Sequence, residues 1–236
     1  LITYVSAKVI DHTAKKKTKK ISLFIAIVIN LGVLGVLKFT NFFGENIFAI
    51  FHQPFTPVRL IVPIGISYYT LQMISYLMDT SSGKIHSDHS IVDFAVYASF
   101  FPTLIQGPIT RFNEIKDSIH AGNPITYQNL KFGSQRILFG LMKKMIIADR
   151  LDPAVSKIFT SYTQDGLFSL IGAVLCTIQL YMDFSGIVDI CLGSAEIFGI
   201  KLPENFRQPF FAENASDFWR RLNITLGTFL REYVFY

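Results

Sequence analysis

Long apolar runs alternate with short polar segments along most of this chain, and several runs are long enough to cross a lipid bilayer. The first covers residues 21–37, is interrupted only by Asn30, and follows a lysine cluster at residues 15–20. A bilayer core needs roughly 20 apolar residues in helical form, and flanking lysines stay on the cytoplasmic side. We therefore predict a membrane span that leads outward from a basic cytoplasmic leader at residues 1–20.

Further runs continue this pattern, at residues 58–78, 94–110 and 166–182, with a fifth extending from the tetrapeptide Asp183-Phe184-Ser185-Gly186 to residue 200. Run 94–110 contains Phe101-Pro102 and Gly107-Pro108, which predict a broken helix that lines protein or a cavity. We expect each of the other runs to be a separate span. The chain is therefore predicted to be an all-α, polytopic membrane protein.

Two segments predict helices that are too charged to span. Residues 130–148 carry Arg136 and Lys143 seven positions apart on one face, which is typical of an amphipathic helix at the cytoplasmic interface, where its cations attract anionic lipid. Ser216 and Asp217 form a plausible N-cap and first-turn pair for a helix through residues 218–226.

Composition agrees with a membrane protein, because 50% of the residues are apolar and only 17% are charged. The net charge of +5 lies entirely within the first twenty residues, so no folded domain carries the basic face that nucleic-acid binding needs. Cys176 and Cys191 offer neither a disulfide framework nor a metal motif. We interpret residues 1–236 as a single membrane domain, and we expect it to be a piece of a longer chain that lacks both ends.

Familiar catalytic signatures do not occur in the sequence. There is no Gly-x-Ser-x-Gly elbow, phosphate-binding Gly-rich loop or His-Glu-x-x-His motif. His86 and His89 are three residues apart but have no third ligand nearby, so we expect no metal and no resident cofactor.

Ionisable residues are concentrated near the C-terminal apolar runs. Each one could be an interfacial anchor or the end of a loop, but together they predict a polar cavity, because such groups are costly in hydrocarbon. They are Asp183, Asp189, Glu196, Glu204, Arg207, Arg220, Arg221, Arg231 and Glu232.

Six blocks of the sequence, in order, resemble the membrane-bound O-acyltransferase family, and within it the bacterial branch of the alginate O-acetylation and teichoic acid D-alanyl transfer proteins. The region of resemblance is 59–236. The blocks are residues 59–79, 100–109, 139–149, Asp183-Phe-Ser-Gly-Ile-Val-Asp189, Leu202-Pro-Glu-Asn-Phe206 and Asp217-Phe-Trp-Arg-Arg221.

The resemblance implies helices around a central funnel or tunnel in a bacterial cytoplasmic membrane, crossed many times. It implies transfer of an acyl group, expected to be acetyl, from a thioester such as acyl-coenzyme A or acyl-carrier protein. The expected acceptor is a hydroxyl of a cell-envelope or exported polysaccharide. Other expected partners are membrane lipid and a downstream acetyl-transferring protein, and none is a nucleic acid.

Family members also suggest site residues. Where the bacterial relatives read Trp-Arg-Arg-Trp-His, this chain ends the same block with Leu222-Asn223, so Asn223 occupies the position of the family's first histidine. The main histidine base is expected beyond residue 236, so we expect the 236-residue chain alone to be inactive. The resemblance assigns the wall of the substrate tunnel to Gln106, Asp183, Ser185, Glu204, Asn205, Trp219 and Arg220.

Three alternatives remain open. Asp183 and Glu204 could instead be structural, each fixing Arg220 or Arg221 by buried pairing. A secondary transporter also uses broken helices with buried acids, although it predicts inverted repeats, which the sequence does not have. A catalytically silent scaffold for a polysaccharide-modifying complex is the third alternative.

Overall fold

A computed structural model describes residues 1–87, 90–161 and 166–235, and within them the chain forms helices and connecting segments but no strand. The α-helices are α1 (Ile2–His12), α2 (Lys16–Ile50), α3 (Ile66–Ser82), α4 (Ile91–Ala98), α5 (Phe101–Leu104), α6 (Phe112–Ala121), α7 (Tyr127–Leu141), α8 (Asp149–Ser161), α9 (Gly166–Ile197), α10 (Ala215–Arg221) and α11 (Ile224–Tyr233). A π-helix (Met142–Ala148) joins α7 to α8, and a short 3₁₀ turn (Pro209–Phe211) precedes α10. The all-α fold class is confirmed.

The described residues divide into two compact units. The first contains Leu1–Ile105 and Arg111–Lys116, and the second contains Gln106–Thr110 and Asp117–Phe235. Two helices in the described chain are long and apolar enough to cross a membrane, α2 and α9. Five separate apolar runs therefore become two candidate spans and several shorter helices.

In the first unit, α2 is longer than the predicted span because its polar residues find partners. Asn30 donates from Nδ2 to the carbonyl of Ala26 at 2.8 Å and accepts from Thr3 Oγ1 of α1 at 3.1 Å. Lys38, where the apolar run ends in the sequence, donates to Ser67 Oγ at 3.0 Å. The helix therefore continues to Ile50.

Prediction of a span at residues 58–78 is wrong in its bounds. Residues 58–64 are not helical, and α3 begins only after Gly65, whose φ is +74°. A Cβ at Gly65 would lie 1.8 Å from the carbonyl oxygen of Leu104, so this position requires glycine. The resulting helix has 17 residues and ends at a second left-handed glycine, Gly83.

The predicted break in run 94–110 is confirmed. Helix α4 ends at Ala98, the four-residue α5 carries Pro102 in its first turn, and residues 107–110 lie outside any helix. Aromatic rings of α3, α4 and α6 form the buried core of this unit, with Tyr76 5.0 Å from Phe94 and 5.5 Å from Phe112 between ring centroids.

In the second unit, the fourth and fifth runs are one continuous helix rather than two spans. Helix α9 passes without interruption through Asp183, Ser185 and Gly186, which lie where the fourth and fifth runs meet in the sequence. Asp189 and Glu196 are also helical, so none of these acids is at the end of a loop.

Helices α7 and α9 pack through two pairs of facing glycines. A Cβ on Gly140 would lie 2.5 Å from the carbonyl oxygen of Gly186, and one on Gly133 would lie 2.6 Å from that of Gly193. On each helix the two glycines are seven residues apart, so they lie on the same face, two turns from each other. Small residues let the two backbones approach closely, which brings the side chains beside them into contact.

The predicted helix 218–226 is interrupted. Helix α10 is capped by Asn214, not Ser216, and the Asn214 side chain accepts from the backbone N–H of Asp217 at 2.9 Å. It ends at Arg221, and α11 starts at Ile224. Asn223 therefore lies at a joint between two helices.

Candidate functional site

A network of ion pairs joins α7, the π-helix and α9. Asp189 is 8% exposed and receives Arg136 Nε at 3.1 Å and Lys143 Nζ at 2.6 Å, one on each oxygen. Arg136 also donates both terminal nitrogens to Glu204, at 2.7 and 2.6 Å, which is the bidentate geometry favoured by guanidinium. Arg136 and Lys143 therefore share a face, as expected, and a carboxylate of α9 lies opposite it.

This network corrects the interpretation of residues 130–148 as a lipid-binding amphipathic helix. The two cations that were assigned to anionic lipid are bound by carboxylates of the chain itself. Neighbouring Lys144 lies 2.7 Å from Asp149 and 2.7 Å from Asp183. Hydrogen bonds to Asp149 first, and then to Asp183, raise the pKa of Lys144.

Glu204 and Asp183 are paired, but with partners other than the predicted Arg220 or Arg221. Glu204 binds Arg136, and Asp183 binds Lys144. Arg221 instead binds Asp217 one helical turn earlier at 2.8 Å, and this contact lowers the pKa of the Asp217 carboxyl.

Asn205 holds the joint between α10 and α11. It is fully buried, and its Oδ1 accepts from the backbone N–H of Thr225 at 3.0 Å and from Thr225 Oγ1 at 2.6 Å. Its backbone carbonyl accepts from Ile224 N at 3.0 Å, and an isolated antiparallel bridge joins Phe206 to Leu222. These contacts hold the backbone on both sides of Asn223.

Asn223 has a left-handed backbone, with φ +48° and ψ 54°. Asparagine tolerates this conformation better than most residues, so its presence at the joint has a backbone reason. Its Oδ1 is buried and has no hydrogen-bond partner among the described residues. Asn223 is therefore not a polar residue on a helix surface, because a side-chain acceptor is buried and available.

An aromatic cavity of about 990 Å³ lies against this joint. Its wall includes Asn223 and Arg220, and most of the remaining residues are apolar: Leu180, Tyr181, Phe184, Phe206, Phe210, Phe218, Trp219, Leu222, Leu226, Leu230 and Phe235. The rings are in mutual contact, with Tyr181 5.0 Å from Phe210 and Phe184 5.1 Å from Phe206. Such a space suits an apolar group whose reactive end meets a few polar side chains.

A second, polar cavity of about 510 Å³ shares Tyr181 and Phe206 with the first. The ion-pair network forms part of its wall, through Arg136, Lys143, Asp189 and Glu204, and it is also lined by Ser185, Val188, Arg207, Gln208 and Arg221. The two cavities are therefore adjacent within the second unit.

The structure groups only some of the predicted tunnel residues. Trp219 and Arg220 line the aromatic cavity with Asn223, while Ser185 and Glu204 line the polar one. Gln106, Asp183 and Asn205 line neither. Among the described residues, Gln106, Ser185, Asn205 and Asn223 each have a buried side-chain atom without a hydrogen-bond partner, whereas the buried Oδ1 of Asp183 lies within ion-pair distance of Lys144.

The sequence did not identify Tyr181 as a residue of the cavity walls, and it assigned Arg136 and Lys143 to anionic lipid rather than to ion pairs within the chain. The heptad-spaced glycines of α7 and α9 were the available signal, because they predict close packing of these two helices. The predicted polar cavity near the acidic residues exists, and the signal that located it was the density of charge in α9.

Among the described histidines, none lines either cavity. These are His12, His52, His86 and His120, and His89 lies outside the described residues. His86 is 3.9 Å from Asp11 in the first unit. Across the described ranges, no three His, Cys, Asp or Glu side chains are grouped closely enough to hold a metal ion.

Comparison with known proteins identifies the family. Residues 63–236 match the model of the membrane-bound O-acyltransferase family. The chain belongs to this family. It is a membrane protein family, in agreement with the two candidate spans.

Three relatives illustrate the range of the family. The chain is 37% identical to the probable alginate O-acetylase of Pseudomonas aeruginosa over 90% of its own length and 42% of the relative. It is 34% identical to the peptidoglycan O-acetyltransferase of Helicobacter pylori over 100% of the chain and 50% of that protein. It is 31% identical to the teichoic acid D-alanyltransferase of Bacillus subtilis over 78% of the chain and 47% of that protein. The chain spans about half the length of the curated relatives it matches.

Proposed function

We propose that the protein is an O-acyltransferase that moves an acetyl group from a thioester donor to a hydroxyl of a cell-envelope polysaccharide. Two of the relatives are named for O-acetylation of alginate and of peptidoglycan, which favours acetyl as the acyl group and a polysaccharide as the acceptor. The protein acts in a bacterial cytoplasmic membrane that it crosses several times, with the donor supplied as acyl-coenzyme A or acyl-carrier protein. An acetyl-transferring partner protein could receive the group before the polysaccharide does.

The observation that carries this proposal is the position of Asn223. Its unpartnered, buried side-chain oxygen lies in the wall of an aromatic cavity, beside Arg220. Acyl transfer needs a base for the hydroxyl proton and donors for the oxyanion that develops on the carbonyl. An asparagine amide can accept a hydrogen bond from an imidazole N–H, which orients the base, or donate to the oxyanion.

In this mechanism the base is the histidine that the family resemblance places after residue 236, and Asn223 is its positioning partner. The described histidines of this chain do not line either cavity, and the relatives are about twice as long as the chain, which leaves room for such a residue. The two adjacent cavities form part of the funnel or tunnel through which donor and acceptor meet.

The test compares three variants of Asn223 in the whole protein, produced in a strain that lacks its own polysaccharide O-acetylation. Asn223→Gly keeps the left-handed backbone without cost but removes the amide, so it should lower turnover by roughly 10² to 10³ while the protein stays folded. Asn223→His should retain more activity, because imidazole still donates and histidine tolerates this backbone. Asn223→Ala adds backbone strain to the loss of the amide.

Activity is measured as base-labile acetate on the isolated polysaccharide, at matched membrane abundance. The proposed function fails if the unaltered protein yields no acetate above that of cells carrying the empty vector. Equal acetate in all three variants and the unaltered protein would remove Asn223 from the mechanism and leave the activity itself standing.

A further inference from the structure

The polar cavity has a cation-rich wall. Four cations, Arg136, Lys143, Arg207 and Arg221, and two carboxylates, Asp189 and Glu204, line it, so the lining charges sum to +2. Asp217 binds Arg221 from outside this lining and offsets part of the excess. A cavity of this kind favours a negatively charged ligand.

One of these cations is not engaged within the chain. Arg136 and Lys143 bind Asp189, and Arg221 binds Asp217. Across the described residues, the Arg207 guanidinium has neither an ion pair nor a side-chain hydrogen bond, although its backbone N–H donates to the carbonyl of Arg221. Its five N–H donors are therefore available to a ligand.

Ser185 provides an independent observation. It is 2% exposed, lines the same cavity, and its Oγ has no partner among the described residues. Hydroxyls within helices usually bond the carbonyl one turn earlier. Two others in α9 do so, Thr177 to Ala173 at 2.8 Å and Ser194 to Ile190 at 2.7 Å. Ser185 departs from this pattern and leaves a buried hydroxyl at the cavity.

Phosphate is the anion that fits this set of donors. The Arg207 guanidinium together with the Ser185 hydroxyl offers more donors than the two oxygens of a carboxylate use, and guanidinium matches phosphate oxygens in a fork. Tyr181 and Phe206 line both cavities, so a ligand with a phosphate at one end and an apolar group at the other could occupy the two together.

We propose that the polar cavity binds a phosphate group, carried by a phosphorylated thioester donor or by an anionic lipid headgroup. Arg207 and Ser185 are the residues that contact it directly. The donor source rests on the proposed function, because it places the acyl end in the aromatic cavity near Asn223. The lipid source does not depend on it.

The experiment measures binding to the whole protein in nanodiscs of neutral lipid, with radiolabelled coenzyme A as the phosphate-bearing probe and pantetheine as the probe without phosphate. R207Q should weaken coenzyme A binding by about 10-fold and S185A by about 5-fold, with pantetheine unaffected, because charged hydrogen bonds to phosphate are lost. R150Q and S156A, at exposed positions of α8 outside both cavities, are the matched controls.

A second arm uses nanodiscs that contain phosphatidylglycerol. If the lipid headgroup is the source, both variants should retain about half or less of the phosphatidylglycerol that copurifies with the controls, with coenzyme A binding unchanged. Variants that match their controls for both ligands would overturn the proposal. S185A keeps the test decisive if R207Q does not fold, because Ser185 Oγ has no partner to lose among the described residues.

Failure of the two proposals can be distinguished. Phosphate binding that depends on Arg207 and Ser185, in a protein that adds no acetate to polysaccharide, would remove the proposed function and keep the site. Acetate transfer with unaltered ligand binding in both variants would keep the proposed function and remove the phosphate site.

Discussion

Asn205 and Asn223 carry the same side-chain amide but use it differently. The Asn205 oxygen accepts two hydrogen bonds from Thr225, whereas the Asn223 oxygen is buried without a partner among the described residues. A buried amide oxygen that accepts hydrogen bonds stabilises the fold, and one without a partner has a cost that a bound group could offset. We therefore expect substitutions at these positions to affect different properties, stability at Asn205 and turnover at Asn223.

The prediction at Asn205 concerns stability. Asn205→Ala should lower the free energy of unfolding by about 2–4 kcal/mol, because the buried N–H and O–H of Thr225 lose their acceptor. Asn214→Ala removes an exposed helix cap of similar chemistry and should cost only about 1 kcal/mol. Thermal unfolding of the detergent-purified protein measures both. A smaller loss for Asn205→Ala than for Asn214→Ala would contradict the role of Asn205 in holding the backbone on both sides of Asn223.

At this scale the sequence identified residue types better than their contacts. The resemblance placed Asn223, Ser185 and Trp219 in one site, and they do line adjacent cavities of the second unit. The left-handed backbone of Asn223 could not be predicted, because it depends on contacts with Asn205, eighteen residues earlier. Glu204 pairs with Arg136, which lies 68 positions away in the chain, so its partner could not be predicted either.

At the scale of helices, α9 shows why hydropathy alone divided one helix into two. Each acid counts as a cost when a sequence run is considered by itself. In the structure, Asp183 and Asp189 receive lysine side chains from the π-helix, so the helix continues through them. The partners are 39 and 46 positions away, and only the packing of α7 on α9 brings them close.

The close packing of α7 on α9 leads to a prediction about stability. Gly140→Ala should destabilise the protein by about 1–3 kcal/mol, because the new Cβ would lie 2.5 Å from the backbone carbonyl of Gly186 and force the helices apart. Gly32→Ala is the matched control, since no atom lies within 4 Å of its Cβ on an exposed face of α2. Helix propensity alone should make that control neutral or stabilising by up to about 1 kcal/mol.

Thermal unfolding in detergent distinguishes the two glycine variants. Separation of α7 from α9 should also weaken the contact of Asp189 with Arg136 and Lys143, so Gly140→Ala should reduce polysaccharide acetylation as well. Equal unfolding temperatures for Gly140→Ala and Gly32→Ala would mean that close approach of the glycines does not hold these helices together.

At the scale of the whole molecule, the length of α2 determines which of its residues can lie outside the bilayer. Its 35 residues extend about 52 Å at 1.5 Å per residue, against roughly 30 Å for the hydrocarbon core of a bilayer. With the lysine cluster at its start held at the cytoplasmic surface, about a third of the helix should project beyond the opposite face. Glu45 lies in that projecting part and is exposed.

Cysteine labelling tests this arrangement. In a protein whose Cys176 and Cys191 are replaced by serine, Lys17→Cys should resist a membrane-impermeant thiol reagent in spheroplasts and react after lysis, because the lysine cluster predicts that residue 17 is cytoplasmic. Glu45→Cys should react in intact spheroplasts, because a helix of this length carries residue 45 past the outer surface of the bilayer. Both variants should be labelled equally in detergent, which controls for local reactivity. Labelling of Lys17→Cys before lysis, with protection of Glu45→Cys, would reverse the orientation of α2.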